Sequence, residues 1–227
     1  MTAVAALLVT KDAQRWLPAA LASIAGQTRT PDRLVAVDDG STDSTVALLH
    51  AAGFDVVAAE STASDRVTRI AQNFVRGVRA CSPADVVVLG DHDDVWHADR
   101  VEHQGAVLDR SPAALMVASD GRLVDEHHRP IGGTLRTAFP IPGDWADRSP
   151  AERMAIGLRR SVATGGAGAI RPSAFERIDV PAGWLHDRWW SLVALARDGL
   201  ILDERAVIDY RVQPGQQVGL DRAAQAD

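Results

Sequence analysis

Three carboxylates fall within four positions at Asp91-His92-Asp93-Asp94. Neighbouring carboxylates repel, and solvent reduces that cost without cancelling it. A divalent cation removes the difficulty, because Mg2+ and Mn2+ take hard oxygen ligands, commonly one or two carboxylates plus phosphate oxygens of a substrate. The competing reading is an acidic loop that caps the following helix, with Asp99 in a similar role. Spacing favours the metal, although short Asp clusters also arise by chance. A second group is Asp38-Asp39-Gly40-Ser41-Thr42-Asp43. A tight turn and a helix cap account for the glycine and one acid. They leave Asp38 and Asp39 side by side, so one of them is free to accept from a base N–H or ribose hydroxyls.

Weaker candidates lie toward the C-terminus. His186-Asp187 precedes Trp189-Trp190. Alone, this pair reads as a capping aspartate before core tryptophans; its chemical reading is a carboxylate base beside aromatic surfaces for a sugar ring. Arg211 and Gln213 follow Tyr210. A lone arginine is more often a surface ion-pair partner, but near a diphosphate it binds bidentately. His92 and His97 make no zinc spacing, His127-His128 reads as a solvated loop, and Arg122 and Arg136 read as surface charges.

The elements that must position these residues are legible as runs. Ala3–Val9, Leu34–Val37, Phe54–Ala58 and Val86–Leu89 are apolar and bounded by Gly or Asp, as in strands buried on both faces of a parallel sheet. Helical patterns lie between them. Pro18 suits the first turn of a helix through Ala19–Ala25, and Thr42 or Asp43 caps one through Val46–Leu49. Arg66–Ala80 places Val67, Ile70, Phe74 and Val78 on one stripe. This order predicts a Rossmann-like, mostly parallel sheet with helices on both faces. Ligands gather beyond the carboxyl ends of such strands, where Thr10-Lys11-Asp12, Asp38–Asp43 and Asp91–Asp94 all fall. Asp120–Gly133 reads as polar and turn-rich, and Phe139–Asp147 as an irregular excursion. Helices follow around Ala151–Arg160 and Arg188–Arg197, with one or two short strands over Leu200–Tyr210. A single domain over 1–227 is expected, with a binding half at 1–120, a catalytic half at 121–219 and a frayed tail at 220–227.

Composition narrows the function classes. Lys plus Arg is 24 against 30 Asp plus Glu, a formal charge of −6. An acidic chain without basic clusters is a poor nucleic-acid binder. Cys81 is the only cysteine, which fits a reducing cytoplasm and a small packed hydrophobe. Ala3–Val9 is too short to span a bilayer and lacks a basic start.

Taken together, the motifs resemble family 2 inverting glycosyltransferases of the GT-A, nucleotide-diphospho-sugar transferase fold, in particular the bacterial rhamnosyltransferase-type branch. Val37–Asp43 is similar to that family's Asp-Asp-Gly-Ser-x-Asp signature, Ser23–Thr28 to the helix end before strand two, and Gln72-Asn73-Phe74 to an Arg-Asn-Phe segment. Gly90–Trp96 resembles Ser-Asp-Gln-Asp-Asp-Val-Trp, Thr164-Gly165-Gly166 the Thr-Gly turn facing the acceptor, and His186–Trp189 the His-Asp-x-Trp block. Tyr210-Arg211 and Gly219 frame a segment that usually reads Tyr-Arg-x-His. The resemblance implies Thr10, Asp12, Asp39, Asp91 and Arg211 on the nucleotide-sugar, and Asp91, Asp93 and Gln213 on Mn2+ or Mg2+. It implies Asp187 as catalytic base, with Thr164, Gly165 and Trp189 toward the acceptor. Donors would be UDP-, dTDP- or GDP-sugars and the acceptor a glycan or lipid-linked molecule, met in the cytoplasm at the inner membrane face. Two departures stand out: Gln213 replaces the usual His, and Lys11-Asp12 replaces an aromatic-Asn pair. The rival class is a non-catalytic sugar-nucleotide-binding or scaffold domain. A nucleotidyltransferase lacks its Gly-rich basic loop here, and a dinucleotide oxidoreductase its Gly-x-Gly-x-x-Gly. A glycosidase would pair two acids, but the crowding of Asp91, Asp93 and Asp94 suits a metal better.

Overall fold

Apolar runs with no polar face must be covered on both sides, and the sheet is built around two of them. In the computed structural model, which describes residues 2–213, β1 (Val4–Thr10), α1 (Leu17–Ala25), β2 (Arg33–Asp38), α2 (Thr45–Ala51), β3 (Asp55–Ala58), α3 (Arg66–Ala80) and β4 (Val86–Asp91) follow in chain order. β1 and β4 are buried almost throughout. Val4, Ala6 and Leu8 pack on one side with Leu17, Ile24 and Leu49, while Ala5 and Leu7 pack on the other with Phe74 and Val78. Helices therefore cover both faces. β3 is an edge strand whose residues are exposed or half-buried, unlike the fully buried strand expected there. Cys81 is a core hydrophobe, its thiol pushed up to about 12 by burial.

The chain continues through β5 (Val95–Trp96), α4 (Arg100–Arg110), β6 (Met116–Val124), β7 (Pro130–Thr134), α5 (Leu135–Ala138), α6 (Pro150–Arg159), β8 (Gly168–Ile170), α7 (His186–Ala196) and β9 (Leu200–Arg211). The strand order is β3-β2-β1-β4-β8-β6-β9-β5, with β7 on β6. The first four strands are parallel, and beyond β4 the sheet becomes mixed. Two expectations fail there. The polar stretch from Asp120 is strand as far as Val124 and hairpins into β7, because pairing with β9 satisfies its backbone. Leu200–Arg211 is one long strand whose register shifts near Asp120. At α2 the cap is Ser44 by position, yet the Asp43 carboxylate accepts the Thr45 N–H. Gly219 and the tail at 220–227 lie outside the described residues.

Candidate active site

Strand register brings the two acidic segments to one edge. Thr10 pairs with Asp38 across β1 and β2, and Val9 with Asp91 across β1 and β4. The adjacent acids Asp38 and Asp39 then divide their work. Asp38 is buried and accepts from Thr10 Oγ1 at 2.9 Å, Ser41 Oγ at 2.6 Å and the Ser41 N–H at 2.8 Å. It holds the turn through Gly40, whose φ of 73° favours glycine. Asp39 faces the open side and takes the Arg69 Nε–H on Oδ2 at 2.8 Å. Asp12 has φ 43° and accepts the Thr42 N–H at 2.8 Å, which holds its carboxyl below the usual range.

The second segment is held from the far end of the chain. β5 pairs with β9, Val95 opposite Asp209, and so carries Arg211 and Gln213 to the acidic loop. Asp94 is buried; its Oδ1 accepts the Arg211 N–H at 3.0 Å and its Oδ2 has no partner among the described residues. The Gln213 Nε2–H donates to Asp93 Oδ2 at 2.9 Å. A Cβ on Gly166 would lie 2.7 Å from Asp91 Oδ2 and 2.8 Å from Asp94 Oδ2, so the turn at Gly165–Ala167 packs its bare backbone against both acids. Burial, reinforced by Asp93, pushes Asp91 up to about 7, and burial drives Asp94 well up. Beneath them Arg100 is fully buried, pulled down to about 9 by burial, and donates to the Leu89 carbonyl at 2.6 Å. Its guanidinium lies 4.1 Å from the Trp96 ring centroid.

Asp187 sits in the first turn of α7, which begins at His186, two residues before the expected start. Its Oδ2 accepts the Gly165 N–H at 2.8 Å and its Oδ1 the Arg188 N–H at 2.7 Å. Burial raises its pKa against those hydrogen bonds. His186 stacks on Phe74 at 3.6 Å; burial holds it neutral, down at about 3, with both ring nitrogens unpartnered among the described residues.

A cavity of about 450 Å³ gathers Thr10, Asp12, Asp39, Asp91, Asp93 and Asp187. Thr164, Gly165 and Gln213 also line it. Arg211 and Trp189 do not. The Arg211 side chain donates to the carbonyls of Asp93, Asp125 and Glu126 and lies over Trp16, so it anchors the acidic loop instead of facing a diphosphate. Trp189 packs edge-on against Trp184. His128 is not simply solvated: its Nε2 lies 2.9 Å from Asp209 Oδ2. Arg136 is half-buried, its charge directed at the Ala118 and Val162 carbonyls.

A family model described as Glycosyl transferase family 2 matches residues 6–179, most of the chain. The chain belongs to glycosyl transferase family 2. Its fold is the GT-A fold of S. aureus TarS, with a TM-score of 0.66 at 15% identity over 93% of this chain and 37% of that one. TarS 1–349 in complex with UDP-GlcNAc gives 0.66 at 14% identity, covering 97% of this chain and 62% of that one. Glucosyl-3-phosphoglycerate synthase from Mycobacterium tuberculosis in complex with Mn2+ and UDP-Glc gives 0.61 at 17%, covering 95% and 73%. The family 2 chain thus spans well under half of TarS. No sequence among curated proteins matches it.

The donor chemistry of the family 2 site suits a divalent cation. Asp91 and Asp93 offer hard oxygens to the cavity, and their mutual repulsion is what a cation relieves. Among the described residues no group of three His, Cys, Asp or Glu is gathered around one point, so a bound ion would also need substrate oxygens. Sequence reasoning passed over Arg100 and Trp16, and named Gly166 only as part of the turn facing the acceptor, without its contact with Asp91 and Asp94. Arg100 looks like any polar position on a helix; its only local signal is Gln104 one turn on, which accepts its Nε–H at 3.1 Å. Trp16 lines the cavity beneath Arg15 and Arg211.

Proposed function

We propose that this family 2 chain transfers a sugar from a nucleoside-diphosphate donor to a hydroxyl of a glycan or lipid-linked acceptor, with inversion. One observation carries the reading: the Asp187 carboxylate, fixed through both oxygens, shares a cavity with Asp39, Asp91 and Asp93. Asp187 accepts the acceptor hydroxyl's proton while that oxygen bonds to the anomeric carbon. The bond from that carbon to the diphosphate oxygen breaks, and attack from the opposite face inverts the centre. Partial burial strengthens Asp187 as a base by raising its pKa. Thr10, Asp12 and Asp39 serve the nucleoside, and Thr164 and Gly165 the acceptor. Asp91 and Asp93 hold Mn2+ or Mg2+, with the Gln213 amide beside them. When bound, the ion supplies charge neutralisation for the departing nucleoside diphosphate. Phe139 lines the cavity at the start of the irregular stretch through Asp147, which supports a closing role for that stretch against water.

The UDP and UDP-sugar complexes of the structural neighbours support uridine as the first base to try. The resemblance to the rhamnosyltransferase-type branch makes a deoxyhexose the first sugar. No helix among the described residues is long and apolar enough to cross a membrane, and we assign the protein to the cytoplasm, peripheral to the inner membrane face. The second reading, a non-catalytic sugar-nucleotide-binding domain, draws on Gln213, whose amide N–H already occupies Asp93 Oδ2. Thermal shift and calorimetry with UDP, dTDP and GDP, each with and without Mn2+ or Mg2+, test the site. Metal-dependent binding of one nucleotide, lost in Asp93→Ala, supports it; no binding under any condition sinks it. Turnover with a sugar acceptor then separates the enzyme from the binding domain.

A further inference from the structure

The 227 residues hold 23 arginines and a single lysine, Lys11. Where every other side-chain cation with an alkaline pKa is a guanidinium, one compact ammonium on a flexible stem marks a position with different demands. Lys11 follows β1 directly and, among the described residues, is the only Lys or Arg lining a cavity that also presents five aspartates. Its Nζ donates to the Gly40 carbonyl at 2.5 Å and lies 3.6 Å from Asp12 Oδ2, with the side chain 35% exposed.

The sheet order says which part of a donor this amine meets. β2 and β4 flank β1 on opposite sides. With strands about 4.8 Å apart, the turn after β2 and the acidic loop after β4 are roughly 10 Å apart. Lys11 holds on to the β2 side, with Asp39, away from Asp91 and Asp93 where a diphosphate would meet its metal. An ammonium has three donor hydrogens, and Gly40 takes one. Asp39 has Oδ2 committed to Arg69, while its Oδ1 takes no hydrogen bond among the described residues. With Gly40 on one hydrogen and Asp12 facing a second, Lys11 keeps a third donor and Asp39 keeps an acceptor, and both residues line the same cavity.

We infer that Lys11, together with Asp39, selects the donor by the keto edge of its nucleobase; the inference rests on the nucleotide reading above. Uracil and thymine present a carbonyl next to the N3–H, and guanine O6 next to the N1–H. Cytosine and adenine have an amino group next to a ring acceptor and would set donor against donor. A Lys11 that only ties down the Gly40 turn would not discriminate among bases.

Calorimetry of the whole chain with UDP, dTDP, GDP, CDP and ADP in Mn2+ tests this, for the native protein and Lys11→Met. The native protein is expected to bind one of the keto-base nucleotides at least about tenfold more tightly than CDP or ADP. Which one binds separates the pyrimidines from guanine. Lys11→Met is expected to lose about tenfold on that nucleotide alone, leaving CDP and ADP unchanged, a gap worth one good hydrogen bond to a charged group. An unchanged affinity, or an equal loss across all five, overturns the inference while the nucleotide reading stands. No binding by the native protein overturns both. Reductive methylation gives a second arm that needs no variant. With one lysine, peptide mass spectrometry reads Lys11 directly, and saturating UDP, or whichever nucleotide binds, is expected to protect it. Methylation at the same rate with and without that nucleotide overturns the inference.

Discussion

The Gly165 N–H donates to Asp187 Oδ2 at 2.8 Å, and the next residue of the same turn, Gly166, packs its bare Cα against Asp91 Oδ2 and Asp94 Oδ2. One turn therefore fixes the proposed base on one side and the proposed metal carboxylates on the other. Small residues are required at both positions: a Cβ on Gly165 would lie 2.6 Å from His186 Nε2.

Asp187→Asn is expected to lower turnover by about 10²–10⁴-fold. Nucleotide affinity measured by calorimetry should stay within about threefold, since the loss belongs to the transition state. Both Asp187 oxygens accept backbone N–H groups, and an amide can accept at only one of them. Urea denaturation should therefore also report a loss of about 1–3 kcal/mol. Near-native turnover would remove Asp187 from the base role.

Gly166→Ala should weaken Mn2+ binding and cost about 1–3 kcal/mol of stability, because the new methyl must displace two carboxylate oxygens. Titration of Mn2+ by electron paramagnetic resonance, in the presence of UDP, reads the first effect and urea denaturation the second. Native affinity in a folded variant would show that the turn does not shape the site.

Arg100→Met removes the cation buried under the acidic loop. Taking one partner from a buried charged cluster costs about 3–5 kcal/mol. The loss should be smaller at pH 5 than at pH 8, because Asp91 and Asp94, both shifted upward, take up protons as the pH falls. A pH-independent loss in chemical denaturation would mean that Arg100 acts through its neutral hydrogen-bond partners and its packing on Trp96, not through the acids.

The metal-free protein should lose stability as pH rises from 6.5 to 8. Asp91 stands at about 7 when folded and at 3.8 when unfolded. Its contribution is complete below the unfolded value and is lost as pH climbs through the folded one. His186 acts oppositely but lower down: held to about 3 against 6.5, it costs stability only as pH falls below 6.5. The clean window is thus above 6.5, where Asp91→Asn should flatten the fall in melting temperature. An identical slope in that variant would remove Asp91 as its source.

The parallel half of the fold was legible because its signals are local. Continuous apolar runs gave β1, β2 and β4, and a stripe at helical spacing gave α3 with the bounds observed, Arg66–Ala80. The C-terminal half was less so. Strand residues from Asp120 to Val124 look like a turn because the pairing that orders them comes from β9, more than 80 positions later. The same holds for the candidate site. Asp39, Asp91, Asp93 and Asp187 stand out as acids at strand and helix ends, and all four line the cavity. Arg211 misleads, because an arginine after a strand reads the same whether it meets a phosphate or three backbone carbonyls.

By itself the sequence determined the strand ends at which polar residues cluster, the acids among them and the order of motifs that marks family 2. These are properties of short windows, set by local hydrophobic period and turn chemistry. The tertiary structure decided how those acids divide their work: Asp38 ties a turn while Asp39 faces the cavity, and Asp94 is sealed above Arg100 while Asp91 and Asp93 line the open side. Burial, partner and direction are relations between distant segments, and a carboxylate's chemistry follows from its surroundings more than from its position in the chain.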